Sequence, residues 1–521
     1  MDHEPHHKPP ASPPLDRRFA APQWQHWPFN LIYQSFQLNQ QWWHQTATRM
    51  PGATAHQKQL VNFAANQVLD VFSPANFALT NPEVLAETVK TGGINLLQGA
   101  KNQWNDTLRL VTGKPRPGLE NFRPGKEVAI APGQVVFRNH LIELIQCAPQ
   151  TDTVFAEPIL IVPSWIMKYY ILDLSPGNSL VRYLVEQGHT VFIVSWKNPD
   201  AADRDLGMDD YLIAGVMAAL DTVNAVVPNQ RVQALGYCLG GTLLAIAAAF
   251  MAREHDKRLA SLTLLASETD FTEPGELSLF IDKTQLDLVD SAMDRKGYLD
   301  GKQMATAFAL LNSRELVWSR RVHTYLLGRS QPVSDLAAWN LDATRMPYRQ
   351  HSDYLHQLYL NNDLAEGLYQ VDGQSVSLAD IRVPVFALGT LRNTVSSWQS
   401  VYKIMQLSQS EATFCLTSGG HNVGVVNPPG VGGKGGKGGK SNYQLATRQA
   451  DDPAVEADRW LVTVPQHQGS WWPALNDWLQ HQSSQRIDRP PWATRRRAIR
   501  RLKMRLALMC WFTDKQRLYD S

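Results

Sequence analysis

The chain has 521 residues, 44% of them hydrophobic and 19% charged, a balance typical of a globular protein with one catalytic domain plus a further region. Its four cysteines are scattered and form no CxxC pair, which excludes a disulfide scaffold and a cysteine-rich zinc site. The net charge of +2 is uneven, because residues 486–521 carry eleven Lys or Arg against three Asp and leave −6 for the rest of the chain.

The first part of the chain predicts a leader followed by helices. Residues 1–27 are rich in Pro and His and show no periodicity, which predicts a disordered leader. No apolar segment follows a basic stretch there, so we expect no secretory signal and a cytoplasmic location. From residue 28 to about 130 apolar residues recur at helical spacing, with Asn81-Pro82-Glu83 as a helix start before the run 84–110.

Residues 131–482 alternate apolar strands with helical patterns. This alternation predicts an α/β fold with a mostly parallel sheet. Between about residues 270 and 381 the strand pattern lapses and helical, aromatic-rich sequence replaces it, which predicts an inserted helical cap over the carboxyl edge of the sheet. The predicted strands are 135–145, 158–163, 190–194, 232–235, 262–265, 383–388 and 413–417.

A sharp turn joins the strand at 232–235 to a helical run at 242–252. Its sequence, Gly236-Tyr237-Cys238-Leu239-Gly240, fits the nucleophile elbow of an α/β-hydrolase-type fold, with Cys in the nucleophile position. Glycines avoid collisions across the strained turn, and the start of the helix favours a thiolate at Cys238, which attacks thioesters well. The alternative interpretation is an ordinary buried cysteine in a glycine-rich turn.

The partners of this nucleophile follow in the chain order acid, then histidine. His421 lies in the Gly-rich loop 418–422 after the strand at 413–417, where an imidazole can take the proton of Cys238. After the strand at 383–388, the position expected to hold an Asp is occupied by Asn393.

Taken together, these residues resemble the polyhydroxyalkanoate synthases, which make bacterial storage polyester. The resemblance extends from about residue 81 to 479 and is most specific in the cap and in the Trp-rich motifs. Its motifs are the elbow, Pro163-Ser164-Trp165-Ile166-Met167-Lys168-Tyr169-Tyr170, the strand 186–192, Trp339-Asn340-Leu341-Asp342, Gly420-His421-Asn422, Asn427-Pro428-Pro429 and Gly469-Ser470-Trp471-Trp472-Pro473.

The resemblance implies polymerisation of (R)-3-hydroxyacyl-CoA into polyester with release of CoA. Cys238 then carries the acyl group and His421 is the general base. The backbone N–H groups of Leu239 and Ile166 are the expected oxyanion donors. We expect no metal and no bound cofactor. The expected partners are the substrate, the growing chain, the surface of a polyester granule and a second copy of the chain in a homodimer.

Asn393 departs from the family pattern, in which an Asp orients the histidine. In a serine protease this replacement lowers turnover about ten-thousand-fold. A thiolate beside an imidazolium depends less on the carboxylate, and papain-like proteases use Cys, His and Asn, so we predict reduced or altered polymerisation. Two alternatives stay open: a polyester depolymerase or esterase, and a weakly active or inactive granule-associated homologue.

Two segments fall outside the family pattern. The Gly-Lys stretch 430–440 predicts a mobile loop; its lysines recur every third residue without a strand-to-helix frame, which argues against a phosphate-binding loop. Residues 483–521 form a basic tail, in which the Arg-rich run 495–505 has apolar residues at helical spacing. Such an amphipathic helix can bind an anionic membrane, a granule surface or nucleic acid, or can pack on its own protein.

Overall fold

The structure is a computed structural model. It describes residues 16–301, 303–304, 306, 313–330, 332–430 and 441–490. The chain divides into two compact units. The helical unit comprises Met1–Pro117 and Phe308–Pro332, and the sheet unit comprises Gly118–Ala307 and Val333–Ser521.

Four long helices form most of the helical unit. They are α1 Phe29–Thr48, α2 Ala55–Val71, α3 Pro82–Thr91 and α4 Ile94–Thr112. The predicted helix start at Asn81 is present, since its side chain accepts hydrogen bonds from the N–H groups of Glu83 and Val84. The predicted run 84–110 is two helices, because Gly92 and Gly93 adopt left-handed φ angles of 59° and 87° and end α3.

A segment from the predicted cap belongs to the helical unit. Two π-helical stretches, Arg314–Ser319 and Val322–Leu326, lie there, and the second packs against α4. The approach is closest at Gly99, where a Cβ atom would lie 1.8 Å from the carbonyl oxygen of Tyr325. Asn95 donates a hydrogen bond from Nδ2 to the carbonyl of Leu326 at 2.9 Å. The expected single cap over residues 270–381 is therefore divided between the two units.

The predicted leader is too long at its carboxyl end. Arg17–Phe19 and Pro22–Gln25 form short 3-10 helices. The side chains of Phe19 and Trp24 are buried, with ring centroids 4.8 Å apart. Burial of these aromatic rings gives the segment a small core that its proline content concealed. Residues 1–15 of the predicted leader lie outside the described residues.

Asp70 is a buried charge in the helical unit. Its carboxylate is 1% exposed and meets Arg18 at 2.8 Å and Arg314 at 2.6 Å. Arg18 also pairs with Asp16 at 2.7 Å. These ion pairs join three distant parts of the chain, and because a buried charge is costly unless it is paired, they oppose any rearrangement that would separate those parts.

The main sheet of the sheet unit has six parallel central strands flanked by antiparallel ones. The strands are β1 Gly133–Arg138, β2 Ile142–Cys147, β3 Ile159–Val162, β4 Val191–Trp196, β5 Val232–Tyr237, β6 Leu259–Leu265, β7 Val385–Thr390, β8 Ala412–Thr417, β9 Asn442–Arg448 and β10 Gln466–Gln468. Their spatial order is β1-β2-β4-β3-β5-β6-β7-β8-β9-β10. Every residue of β5 to β8 is buried, as expected for strands covered on both faces. The predicted α/β fold with a mostly parallel sheet is confirmed.

The edges of the sheet differ from the prediction. The single strand expected at 135–145 is a hairpin of β1 and β2. Its turn is set by Asn139, whose Oδ1 accepts hydrogen bonds from the N–H groups of Leu141 and Ile142 at 2.8 Å. The antiparallel strands β9 and β10 were not predicted, because β9 mixes polar and apolar residues and is only partly buried, and β10 consists of exposed polar residues, so both give a weak strand pattern.

Helices and short elements surround this sheet. The α-helices are α5 Leu180–Glu186, α6 Met208–Asp210, α7 Ala218–Val226, α8 Leu239–Arg253, α9 Lys283–Lys296, α10 Asp335–Leu341, α11 Tyr348–Asp353, α12 Trp398–Tyr402, α13 Ile404–Leu407, α14 His421–Val425, α15 Ala457–Thr463 and α16 Trp472–His481. Tyr211–Met217 and Tyr354–Leu360 are π-helical. The short strand pairs are Thr153–Phe155 with Arg486–Asp488, Tyr298–Leu299 with Met346–Pro347, and Gln370–Val371 with Gln374–Ser375.

Both ends of the sheet unit lie at other positions than predicted. Residues 118–130, expected in the helical region, belong to the sheet unit, where Ala129 donates its N–H to the carbonyl of Asp173 at 2.8 Å. At the other end the predicted tail begins as a strand, with the guanidinium of Arg486 centred 4.4 Å from the ring of Phe155. The predicted helix at 495–505 and residues 431–440 of the Gly-Lys loop lie outside the described residues.

Within the described part of the chain, no helix is both long and apolar enough to cross a membrane.

The Asp70 cluster gives a stability prediction. Asp70→Ala removes a buried anion and leaves Arg18 and Arg314 without one of their partners, which should cost about 3 kcal/mol. Urea unfolding, with hydrogen exchange in α2 as a local readout, measures this cost. Lys90→Ala is the control, because the Lys90 side chain is 76% exposed and its i,i+3 ion pair should contribute under about 1 kcal/mol. Equal effects from both variants would contradict a structural role for the cluster.

Candidate active site

Cys238 occupies the tight turn between β5 and α8. Its backbone has φ 52° and ψ −127°, outside the usual regions, and its N–H bonds the carbonyl of Leu265 at 2.9 Å. Two glycines permit the turn. A Cβ on Gly236 would lie 2.3 Å from the Cα of Gly241, and one on Gly240 would lie 2.2 Å from the carbonyl oxygen of Val162. The geometry is that of the predicted nucleophile elbow.

The thiol of Cys238 is neutral in its surroundings. Burial raises its pKa to about 12; the N–H of Leu239 and the side chain of Ser164 oppose the rise, and the nearby Glu268 adds to it. The start of α8 was expected to favour a thiolate. That expectation is not supported, because removal from water outweighs the short helix-end interaction. The N–H of Leu239 does point to the sulfur, and its role as an oxyanion donor stays a prediction.

The loop after β3 lies against the elbow. Ser164 is 3% exposed and its hydroxyl interacts with the sulfur of Cys238. The carbonyl of Ile166 accepts a hydrogen bond from the N–H of Thr344 at 3.3 Å, so the cap segment holds this loop in position. Ile166 as the second oxyanion donor stays a prediction, whereas the role of Ser164 beside the sulfur was missed.

His421 begins α14, directly after the turn that follows β8. Gly419, with φ 126°, and the extended Gly420 bring it into this position. Its ring centroid lies 5.5 Å from that of Tyr237, the residue before Cys238. The structure therefore brings His421 to the elbow. Burial lowers the pKa of its imidazole to about 4, so the ring is neutral near pH 7.

Asn393 contacts His421 with its amide nitrogen. The distance from Asn393 Nδ2 to His421 Nδ1 is 3.0 Å. The other end of the amide is fixed, because Oδ1 accepts hydrogen bonds from the backbone N–H groups of Val395 at 3.1 Å and Ser396 at 3.0 Å. Reversing the amide would break both of these bonds, so the Asn393 amide donates and His421 Nδ1 accepts. The ring proton of a neutral His421 is consequently on Nε2.

This tautomer differs from the one a general base needs. To take a proton from Cys238 through Nε2, the ring must carry its proton on Nδ1 and face an acceptor there. Stabilising an imidazolium requires the same acceptor. The described geometry therefore does not favour the thiolate–imidazolium pair on which the comparison with papain-like enzymes relied.

The residue after His421 ties three parts of the sheet unit together. Asn422 Oδ1 accepts a hydrogen bond from the hydroxyl of Tyr237 at 2.6 Å, and its Nδ2 donates to Asn340 Oδ1 at 3.2 Å. The elbow strand, the histidine loop and the cap helix α10 are thus joined through one amide. This network holds the histidine loop against the elbow.

Aromatic side chains surround the elbow on the cap side. Trp165 contacts Tyr211 and Tyr354 with ring centroids 5.6 Å and 6.3 Å apart. Tyr359 contacts Phe271 at 4.8 Å and Tyr354 at 5.2 Å. The tyrosines Tyr354 and Tyr359 both interact electrostatically with Cys238, so this cluster lies near the sulfur. Such a wall suits an acyl group and excludes water.

Glu268 is a buried acid that sequence reasoning missed. It is 5% exposed and follows the end of β6 by three residues. Burial raises its pKa well above the ordinary value, and it interacts with Cys238. A polar residue just after the carboxyl end of a central strand was the available indication, because ligands bind at that edge of α/β sheets.

Two family models match the sequence of this chain. Residues 15–184 match the family model "Poly-beta-hydroxybutyrate polymerase (PhaC) N-terminus", and residues 157–428 match the model "alpha/beta hydrolase fold". Among solved structures, an alpha/beta hydrolase fold protein from Chitinophaga pinensis is 14% identical with a TM-score of 0.32, covering 57% of this chain and 92% of that one.

Curated relatives are more similar in sequence. A poly(3-hydroxyalkanoate) polymerase of Methylorubrum extorquens is 39% identical over 479 residues, covering 91% of this chain and 77% of the relative. The poly(3-hydroxyalkanoate) polymerase subunit PhaC of Cupriavidus necator is 36% identical over 482 residues, covering 91% and 79%. The α/β-hydrolase-type fold and the resemblance stated from the sequence are confirmed. The chain belongs to the poly(3-hydroxyalkanoate) polymerase family.

Proposed function

We propose that this enzyme polymerises (R)-3-hydroxyacyl-CoA into polyester with release of CoA, and that Cys238 carries the growing acyl group. The observation that supports it best is the placement of a cysteine, rather than a serine, in a strained elbow beside His421. Family membership supports an acyltransferase, and thioesters are the acyl donors with which a sulfur nucleophile exchanges most readily.

The proposed reaction has two acyl transfers. In the first, the sulfur of Cys238 attacks the thioester carbonyl, the bond to the CoA sulfur breaks, and the thiol proton passes through His421 to the leaving CoA. In the second, the hydroxyl of a monomer or chain end attacks the acyl-cysteine, an ester forms, and its proton returns through His421 to the thiol. The N–H groups of Leu239 and Ile166 stabilise each oxyanion.

Asn393 sets the rate of both steps in this proposal. Because its amide donates to His421 Nδ1, the ring must change tautomer, or the amide must turn, before Nε2 can accept a proton. Turning the amide loses the bonds to the N–H groups of Val395 and Ser396. Polymerisation is therefore slow rather than absent. Of the alternatives, this favours a weakly active homologue over a fast synthase.

In this proposal the enzyme acts at the surface of a cytoplasmic polyester granule, and the exposed surface of the helical unit supports this location. On α4, Leu97, Trp104 and Val111 follow one another at seven-residue spacing and are 74%, 69% and 82% exposed. An exposed apolar stripe of this kind suits an apolar surface.

A homodimer is part of the same proposal. Contact of the basic tail with a membrane or nucleic acid is a separate hypothesis.

A covalent adduct tests the nucleophile. After incubation with labelled 3-hydroxybutyryl-CoA, mass spectrometry should find the acyl group on the peptide that contains Cys238, and Cys238→Ala should abolish both the adduct and CoA release. Cys147→Ala, which removes another buried thiol, should retain both. Polymer as the main product excludes a depolymerase or esterase, free 3-hydroxybutyrate would favour one, and no adduct would favour an inactive homologue.

Restoring a carboxylate tests the role of Asn393. In Asn393→Asp, one oxygen keeps the bonds to the backbone N–H groups and the other accepts from Nδ1, which frees Nε2 to act as a base. We expect kcat for CoA release to rise about 100-fold, less than the ten-thousand-fold effect in a serine enzyme because a thiol is more acidic than a hydroxyl.

The control for this change is Asn229→Asp, which adds the same charge at an exposed turn. It should leave kcat unchanged. Wild-type activity below detection would refute reduced polymerisation, and an unchanged kcat in Asn393→Asp would show that the tautomer of His421 does not limit the reaction.

Alkylation of Cys238 tests its protonation state. With a thiol pKa of about 12, the reactive thiolate is a minor species at neutral pH and grows with pH. The rate of carbamidomethylation at Cys238 should therefore rise about tenfold per pH unit between about pH 6 and 9, without a plateau. Peptide mapping assigns the rate to Cys238. A plateau with a midpoint below about pH 7 would instead indicate a thiolate–imidazolium pair.

A further inference from the structure

Two buried polar side chains near the elbow lack hydrogen-bond partners. Within the described residues, Oε1 of Glu268 and Oγ of Ser396 have no partner within hydrogen-bond geometry, although these residues are 5% and 4% exposed. A buried polar atom without a partner destabilises the folded protein, because it has lost its hydrogen bonds to water. A cluster of such atoms beside a nucleophile is therefore a site whose missing partner is a ligand.

The position of Glu268 is fixed by its backbone and its neighbours. Its carbonyl accepts a hydrogen bond from Thr242 Oγ1 at 2.8 Å, which ties the turn after β6 to the first turns of α8. Its carboxyl lies close to the side chains of Ser396 and Tyr359 and to the N–H of Ser397. These residues follow Asn393 or belong to the aromatic wall, and the carboxyl also interacts electrostatically with Cys238.

The histidine does not use this acid. His421 Nδ1 faces Asn393, and burial is the cause of its lowered pKa, with no contribution from Glu268. Glu268 therefore does not replace the missing Asp of the triad. Its interaction is with Cys238, where the acyl group is attached in the proposed function.

We infer that Glu268, with Ser396 beside it, binds the 3-hydroxyl of the acyl group on Cys238 and so selects 3-hydroxyacyl over unsubstituted acyl thioesters. This inference rests on the proposed function, because it requires an acyl-cysteine. A protonated carboxyl offers one O–H donor and a carbonyl acceptor, and a hydroxyl needs both. The thioester oxygen is taken by the N–H of Leu239, and the neighbouring wall of Trp165, Tyr354 and Phe271 is largely apolar.

The environment favours the required form of Glu268. Burial raises the pKa of its carboxyl well above the ordinary value, which favours the protonated acid. An ionised carboxylate could accept from the hydroxyl but would repel the developing oxyanion. A neutral acid in an aromatic pocket recognises a hydroxyl without placing a charge beside the reacting carbonyl.

Single-turnover acylation of Cys238 by 3-hydroxybutyryl-CoA and by butyryl-CoA tests the inference. Wild type should acylate with the hydroxy substrate at least about 100-fold faster, because a site built to bind a hydroxyl rejects the analogue that lacks it. Glu268→Leu should bring the two rates within about threefold, and Ser396→Ala should reduce their ratio about fivefold. Glu268→Gln, whose amide still donates and accepts, should retain most of the ratio.

The ratio of two rates in one variant is insensitive to how much of that variant is folded. Glu157→Gln is the matched control, since Glu157 is also 3% exposed but its carboxylate binds the N–H of Ser484. It should keep the wild-type ratio. An unchanged ratio in Glu268→Leu, or an equal loss of both rates, would overturn the inference. Failure of wild type to form an adduct with either thioester would instead contradict the proposed function.

Discussion

The close approach of β5, α8 and the loop after β3 is the constraint on which the site depends. Side chains at Gly236 or Gly240 would collide with backbone atoms at 2.3 Å and 2.2 Å, so no adjustment of a rotamer could relieve them. This contact allows Cys238 to hold its unusual φ and ψ angles of 52° and −127°. Ser164 and the N–H of Leu239 lie beside the sulfur at this turn, and Glu268 interacts with it electrostatically.

A second constraint is the direction of one amide. The residue at position 393 is held by the N–H groups of Val395 and Ser396, and this turn accepts either an amide or a carboxylate oxygen. The loop therefore keeps its shape with either residue. Asn offers His421 a hydrogen-bond donor, whereas Asp would offer an acceptor. A single atom decides the tautomer of the histidine without any change of fold.

Much of this fold could be predicted from the sequence, because buried parallel strands are unbroken apolar runs and the elbow has glycines at fixed spacing. Cys238, His421 and Asn393 could also be located, since the order of strands places them at one edge of the sheet. The division of residues 270–381 between two units could not, because packing at Gly99 depends on contacts between distant segments. The protonation states could not either, because burial, which is absent from the sequence, sets them.

The resting site keeps its ionisable groups uncharged. The thiol of Cys238 and the imidazole of His421 are neutral at pH 7, because burial shifts each pKa against its charged form, and burial raises the pKa of the Glu268 carboxyl in favour of its neutral form. An apolar acyl group can therefore enter without separating an ion pair. The same burial raises the activation barrier of the reaction, because a thiolate and an imidazolium must form where few groups stabilise them. An Asp at position 393 would stabilise the imidazolium when it forms, and the Asn393 amide, which donates to the same nitrogen, does not.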